Sequence, residues 1–273
     1  MSEATVAKIP SDSSHLDRLV LAYDGDARLR DRLRLSDDWV RQWSSTWQVG
    51  DGKVCWPIRD MSHVPVLSSR PMRGFTWRAK QRHRPGLEVM ASTGRQHGFE
   101  SLEEMRLLVA LDFLRASEVL SQPFRLDFDH ASGHAWHVPD FLAVVDGGMW
   151  LLDVRPIELI KEEDALKFAA AREVAAACGW RYSVVAGWRP HVWSVLDHLS
   201  SRRRPTRDLL GMREQLLTTI SGQQGRAMTF FELANATSVP SVGRANIVRL
   251  LWQRELGVDL GSPLRDSSLI WAL

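Results

Sequence analysis

The stretch from His137 to Pro156, His-Val-Pro-Asp-Phe-Leu-Ala-Val-Val-Asp-Gly-Gly-Met-Trp-Leu-Leu-Asp-Val-Arg-Pro, constrains this chain more than any other. Two short apolar runs, Phe141 to Val145 and Met149 to Leu152, flank Asp146-Gly147-Gly148. Asp-Gly between two β-prone runs is a strong local signal for a hairpin. Such a hairpin brings its two open ends together, so Asp140, before the first strand, and Asp153, at the end of the second, become neighbours. Side chains alternate along a strand, which puts Asp153 and Arg155 on one face and Leu152 and Val154 on the other. Two carboxylates and a cation at one sheet edge suit a hydrolytic metal site.

With 273 residues the chain can bury a full core as one large domain or two smaller ones. Its 44% hydrophobic and 25% charged content is that of a soluble globular protein. No apolar run approaches the roughly 20 residues of a membrane span. The first residues, Met-Ser-Glu-Ala-Thr-Val-Ala-Lys, lack a signal-peptide pattern. Cys55 and Cys178 read as reduced thiols, and the expected location is cytoplasmic and nucleoid-associated. A local excess of cations, Arg73, Arg78, Lys80, Arg82, Arg84 and Arg95 against Glu88, is a candidate phosphate-binding patch.

Residues 1–15 are polar and expected to be disordered, and residues 16–35 show no clear period. The tryptophan-rich segment up to Val66, broken by Gly50-Asp51-Gly52, reads as β structure with the indoles in packing roles. Glycines and prolines punctuate 71–98 as extended segments and loops. Residues 99–113 read as a helix with two apolar stripes, one of Leu107, Leu108 and Leu111, the other of Leu102, Met105, Val109 and Phe113. Glu104 falls within the first stripe, so it must be paired, protonated or metal-bound; pairing with Arg106 or Arg115 is the bland reading. Glu103 lies between the stripes and reads as a solvent or salt-bridge residue.

Glu118-Val-Leu and Gln122 to Phe128 read as strands leading into the hairpin. His130, His134 and His137 invite a zinc reading, but no cysteine accompanies them and His134 and His137 face opposite ways on a strand. Asp164 to Cys178 is an alanine-rich helix ended by Gly179, followed by a strand from Arg181. Helix, strand, hairpin, helix and strand in this order predict an α/β fold with a mixed sheet flanked by helices.

The ordered motifs Thr93-Gly94-Arg95, Glu100 to Glu104, Gln122-Pro123-Phe124, Pro139-Asp140-Phe141, Asp153-Val154-Arg155-Pro156 and Gly179-Trp180 resemble those of the TnsA-like transposase endonucleases, within the PD-(D/E)XK restriction-endonuclease-like superfamily. The resemblance covers roughly residues 90–190. It implies a restriction-endonuclease-like domain in which Glu104, Asp140 and Asp153 ligate Mg²⁺ or Mn²⁺. Arg155 stands where most of that superfamily has lysine. An arginine keeps its proton at neutral pH, so it can orient the scissile phosphate but cannot act as a base; Lys161 or Lys167 is a less favoured source of an ammonium. In such proteins the cut falls at the 5′ ends of a mobile element in double-stranded DNA. A DDE-type transposase cuts the 3′ ends, and an AAA+ ATPase regulates the assembly. The alternatives are a catalytically inactive DNA-binding or assembly subunit that keeps the scaffold, and a restriction nuclease acting in defence.

After Arg202-Arg203-Arg204-Pro205 the chain reads as three helices, near 209–220, 229–236 and 241–255, and two short strands. Thr229 and Glu232 form a capping box, and Arg244, Arg249 and Arg254 line the polar side of the third helix. This predicts a winged-helix-like domain that contacts DNA or a protein partner. The expected domains are thus an N-terminal extension (1–72), a nuclease-like domain (73–200) and a winged-helix-like domain (206–273).

Overall fold

The computed structural model describes residues 8–64, 66–75 and 85–273. The chain begins with α1 (Leu16–Leu19), β1 (Val20–Ala22), α2 (Arg28–Asp31), α3 (Trp39–Gln42), β2 (Ser44–Val49) and β3 (Gly52–Pro57). It continues through β4 (Ser69–Arg70), β5 (Gly86–Met90), β6 (Arg95–Phe99), α4 (Leu102–Phe113), β7 (Glu118–Ser121), β8 (Phe124–His130) and β9 (Gly133–His137). Next are β10 (Phe141–Val145), β11 (Gly148–Val154), α5 (Glu162–Ala177), β12 (Arg181–Trp188) and α6 (Val192–Ser200). The last are α7 (Met212–Ser221), β13 (Met228–Thr229), α8 (Phe230–Asn235), α9 (Pro240–Trp252), β14 (Leu256–Val258) and β15 (Leu269–Ala272). The α/β character expected from the sequence is present.

The chain divides into two compact units, residues 21–187 and residues 1–20 with 188–273. This differs from the expected boundaries at 72 and 200. The β2–β3 region joins the central unit, and α6 and the first segment join the C-terminal one.

In the central unit, one mixed sheet runs β1-β12-β11-β10-β7 and a second runs β3-β2-β8-β9, with β4 also on β2. The hairpin forms as expected: Val145 pairs with Gly148 and Phe141 with Leu152. Asp146 and Gly147 turn the chain with φ of 51° and 71°, a two-residue loop whose twist suits the flanking strands. β12 pairs parallel to β11, reached through the crossover helix α5. β8 and β9, however, do not extend the hairpin's sheet; β9 pairs with β8, and β8 with β2.

The core of this unit joins Trp43, Trp47, Phe124 and Phe128 to Leu142 and Leu151 of the hairpin and to Leu166, Ala170, Ala171 and Val174 of α5. Trp43 and Trp47 are buried, at 1% and 0% exposure, so the packing role holds for both. In α4 every residue from Leu107 to Phe113 is buried. Leu102 is instead 67% exposed and does not belong to an apolar stripe; it is the first residue of the helix.

In the other unit α6, α7 and α8 pack on α9, through Leu196, Leu199, Leu216, Leu233, Ile247 and Leu251, all buried. A small antiparallel sheet runs β13-β15-β14. The Thr229–Glu232 capping box is formed. The expectation of disorder across residues 1–15 fails for the described part. Ile9 is buried, Leu260 N donates to its carbonyl over 2.8 Å, and Ser11 N donates to Val258 O over 2.9 Å. These backbone groups find partners only at the far end of the chain, which no local pattern encodes.

Candidate functional site

Glu104, Asp140, Asp153 and Arg155 line one cleft of about 490 Å³ in the central unit, together with Glu100, His137, Asp164 and Phe168. Glu104 comes from the first turn of α4. Ser101, the N-cap, accepts from Glu104 N over 3.2 Å and donates its hydroxyl to Glu104 Oε1 over 2.9 Å. Glu100 N donates to Glu104 Oε2 over 2.7 Å. The Glu104 carboxylate therefore satisfies backbone at the helix start, a variant of the capping box. Arg106 pairs with Glu103 at 2.5 Å rather than with Glu104.

Asp140 and Asp153 are set by the hairpin register. Asp140 N donates to Leu152 O over 3.1 Å, and Asp140 Oδ2 accepts from Val154 N over 2.7 Å. Asp153 is 1% exposed. Both of its oxygens are engaged: Oδ1 lies 2.8 Å from His137 Nε2, and Oδ2 accepts from the Tyr182 hydroxyl over 2.7 Å. A carboxylate only accepts, so His137 donates from Nε2. Tyr182 reaches Asp153 because Val184 is the register partner of Asp153 and Tyr182 precedes Val184 by two, on the same face. Phe168 of α5 packs its ring edge on His137, with centroids 6.0 Å apart.

Electrostatics within the cleft follow from this convergence. Burial raises Asp140 well above the usual aspartate range, the charges of Glu104 and Asp153 raise it further, and the Val154 N–H offsets part of this. Burial also raises Glu104, against the opposing hydrogen bonds from Glu100 N and Ser101. Tyr182 is pushed well above its usual range by burial and then by Asp153, so it stays a neutral donor. Arg155 is held at the cleft by Leu159 O at 3.2 Å and by Asp164 at 3.5 Å, with its side chain 40% exposed.

Three carboxylates gathered in a buried cleft, each raising the cost of ionising Asp140 or bearing that cost, are a donor set suited to a hard divalent cation. As arranged, they are engaged with the protein's own donors. Among the described residues no three His, Cys, Asp or Glu side chains are grouped as a ready-made metal cage.

The basic stretch fares differently. Arg78, Lys80, Arg82 and Arg84 lie outside the described residues. Arg95 pairs with Glu118, and Arg73 pairs with Glu100 at 2.8 Å and donates to Gln122 over 3.1 Å. The described members are thus committed to neighbouring acids and amides. In the C-terminal unit, the three arginines assigned to α9's polar side are also partly used. Arg244 pairs with Asp266, Arg249 donates to Asn246, and Arg254, one residue past the helix cap, donates to Asp12 O. His130 and His134 do not join the cleft, and His134 lies against Asp129 at 3.1 Å.

Sequence reasoning missed Tyr182, and it weighed His137 only as a zinc ligand. The signal for Tyr182 is parity: with β12 parallel to β11, every second residue shares the aspartate's face. Among the described residues no helix is long and apolar enough to cross a membrane. Compared with known protein families and with curated proteins, the chain matches none.

Proposed function

We propose that this chain is a metal-dependent DNA endonuclease subunit of the TnsA-like kind, with a restriction-endonuclease-like central unit and a winged-helix-like C-terminal one. On this reading it nicks one strand, on the 5′ side, at the ends of a mobile element, working beside a DDE-type transposase and an AAA+ ATPase. The observation that carries the reading is the convergence of Glu104, Asp140 and Asp153 on one cleft, with Asp140 destabilised as an anion by the other two. These residues would hold Mg²⁺ or Mn²⁺, which when bound supplies an activated water and a clamp on phosphate oxygens. The chain's own contribution is positional. Tyr182 and His137 fix the Asp153 carboxylate, Val154 N fixes Asp140, and Ser101 with Glu100 N fixes Glu104. Arg155, permanently charged, would orient a non-bridging phosphate oxygen and stabilise charge that grows in the transition state.

A second reading, an inactive DNA-binding or assembly subunit, is favoured by one observation: every carboxylate in the cleft is already engaged by protein donors, and the residue in the lysine position is Arg155. Calorimetry of Mn²⁺ binding with duplex DNA present, on wild type and on Asp140→Ala, separates the two. Binding that is lost in the variant supports the nuclease. Absence of binding in both leaves the assembly role.

A further inference from the structure

A second cleft, of about 500 Å³, lies wholly within the C-terminal unit, between the 202–210 segment and α9. Its lining includes Arg202, Arg207, Asp208 and Arg249. Among the described residues, Arg202 and Arg207 form no side-chain ion pair, and neither does the nearby, exposed Arg204. The single lining carboxylate is consumed locally: Asp208 accepts from Met212 N and Arg213 N at 2.9 and 2.8 Å, capping α7. Those backbone bonds hold it below the usual aspartate range, so it stays ionised and offsets one of the guanidinium charges.

Arg249 adds the telling detail. Its Nη1 donates to Asn246 over 2.8 Å, but its Nε is buried without any partner. A buried donor left unmet costs about 1–3 kcal/mol, so Arg249 stands at this cleft with its hydrogen-bonding capacity not fully used by the protein. All the cations here are arginines, whose planar forks match tetrahedral oxyanions, and they are strung along a segment rather than gathered at a point. That distribution suits a ligand that repeats its negative charge.

We propose that this cleft binds the phosphodiester backbone of DNA, independently of the carboxylate cleft and of whether that cleft is catalytic. Leu209 and Leu210, 85% and 51% exposed, give the neighbouring lip an apolar character. A protein segment bearing acidic and apolar side chains is therefore the rival occupant.

The test is fluorescence anisotropy of a labelled random-sequence duplex with the full chain, in EDTA, over a range of salt. Arg202→Gln with Arg207→Gln, both exposed, is compared with the equally charge-reduced pair Arg226→Gln with Arg265→Gln, exposed and outside the cleft. The cleft pair should weaken binding about five- to tenfold and lower the log–log salt slope by about 2, while the control pair leaves both near wild type. Arg249→Lys, which keeps the charge but removes the guanidinium fork, should weaken binding at a temperature well below its own unfolding midpoint. Undiminished affinity in the cleft pair, equal losses in the two pairs, or a wild type blind to DNA would overturn the proposal. The first of these, with a loss of poly-glutamate binding, would assign the cleft to the rival.

Discussion

The Tyr182 hydroxyl donates to Asp153 Oδ2 over 2.7 Å, from one strand of a parallel pair to the next. Tyr182→Phe keeps the ring and removes only this bond, leaving a buried carboxylate oxygen short of a donor. The expected cost is about 1–3 kcal/mol in urea unfolding. If Asp153 ligates a cation, Mn²⁺ affinity should also fall about tenfold or more, as when an outer partner of a ligand is lost. Unchanged calorimetry beside reduced stability would mean that Asp153 serves the fold alone.

Asp140 gives the protein a definite pH dependence. Its folded pKa lies above its unfolded one, so between those two values the folded state binds more protons than the unfolded state. The metal-free protein should therefore lose stability as pH rises from the ordinary aspartate range through the raised folded value. Glu104 shifts the same way, and the titration belongs to the pair. Asp140→Asn keeps an acceptor for Val154 N and removes the charge. Its urea midpoint at neutral pH should exceed that of wild type, and its pH profile should be flatter; a steeper profile would refute the assignment.

Ser101→Ala removes both the cap of α4 and the hydroxyl that contacts Glu104. The loss should be about 1 kcal/mol, within a range of about 0.5–2. Thermal unfolding of the variant measures it directly, and Ser101→Asp, a competent cap placed beside Glu104, should recover less than the cap alone would give because the two carboxylates repel.

Gly257→Ala should destabilise the C-terminal unit. Gly257 faces Trp271 across β14 and β15, and an added Cβ would stand 1.9 Å from the indole Nε1. The indole must move, losing its 3.2 Å bond to Asp12 Oδ1, and overpacking of this kind costs about 1–3 kcal/mol. Near-wild-type unfolding would show that the ring relocates freely.

Local chemistry made some of this structure legible in the sequence. The Asp146-Gly147 turn, the alanine-rich α5 with Gly179 beyond its end, and the Thr229–Glu232 box are each set by residues within a few positions of one another. The site was legible as far as the hairpin reaches, since a two-residue loop fixes which residues oppose, and Asp140 with Asp153 follows. Tyr182 was not, because its place depends on the register of β12 against β11, separated by the length of α5. Glu104 was read from its burial, but its partners were not legible: the helix start takes up its carboxylate through Ser101 and Glu100 N, and Arg106 went to Glu103. The pairing of β8 with β2 was missed for the same reason as Tyr182, the distance between Trp47 and Phe124 in the chain.

The bond from Ile9 N to Asp259 Oδ1, 2.8 Å long, spans 250 residues. During synthesis, the segment around Ile9 must therefore wait until Asp259 has emerged, 250 residues later, before it finds its partner, while residues 21–187 are all available sooner. Folding from the ribosome should be ordered, with the carboxylate-bearing unit first and the arginine-bearing unit last. A fragment cut at 206 would begin life without the strand-like segment that covers its own Val258 and Leu260.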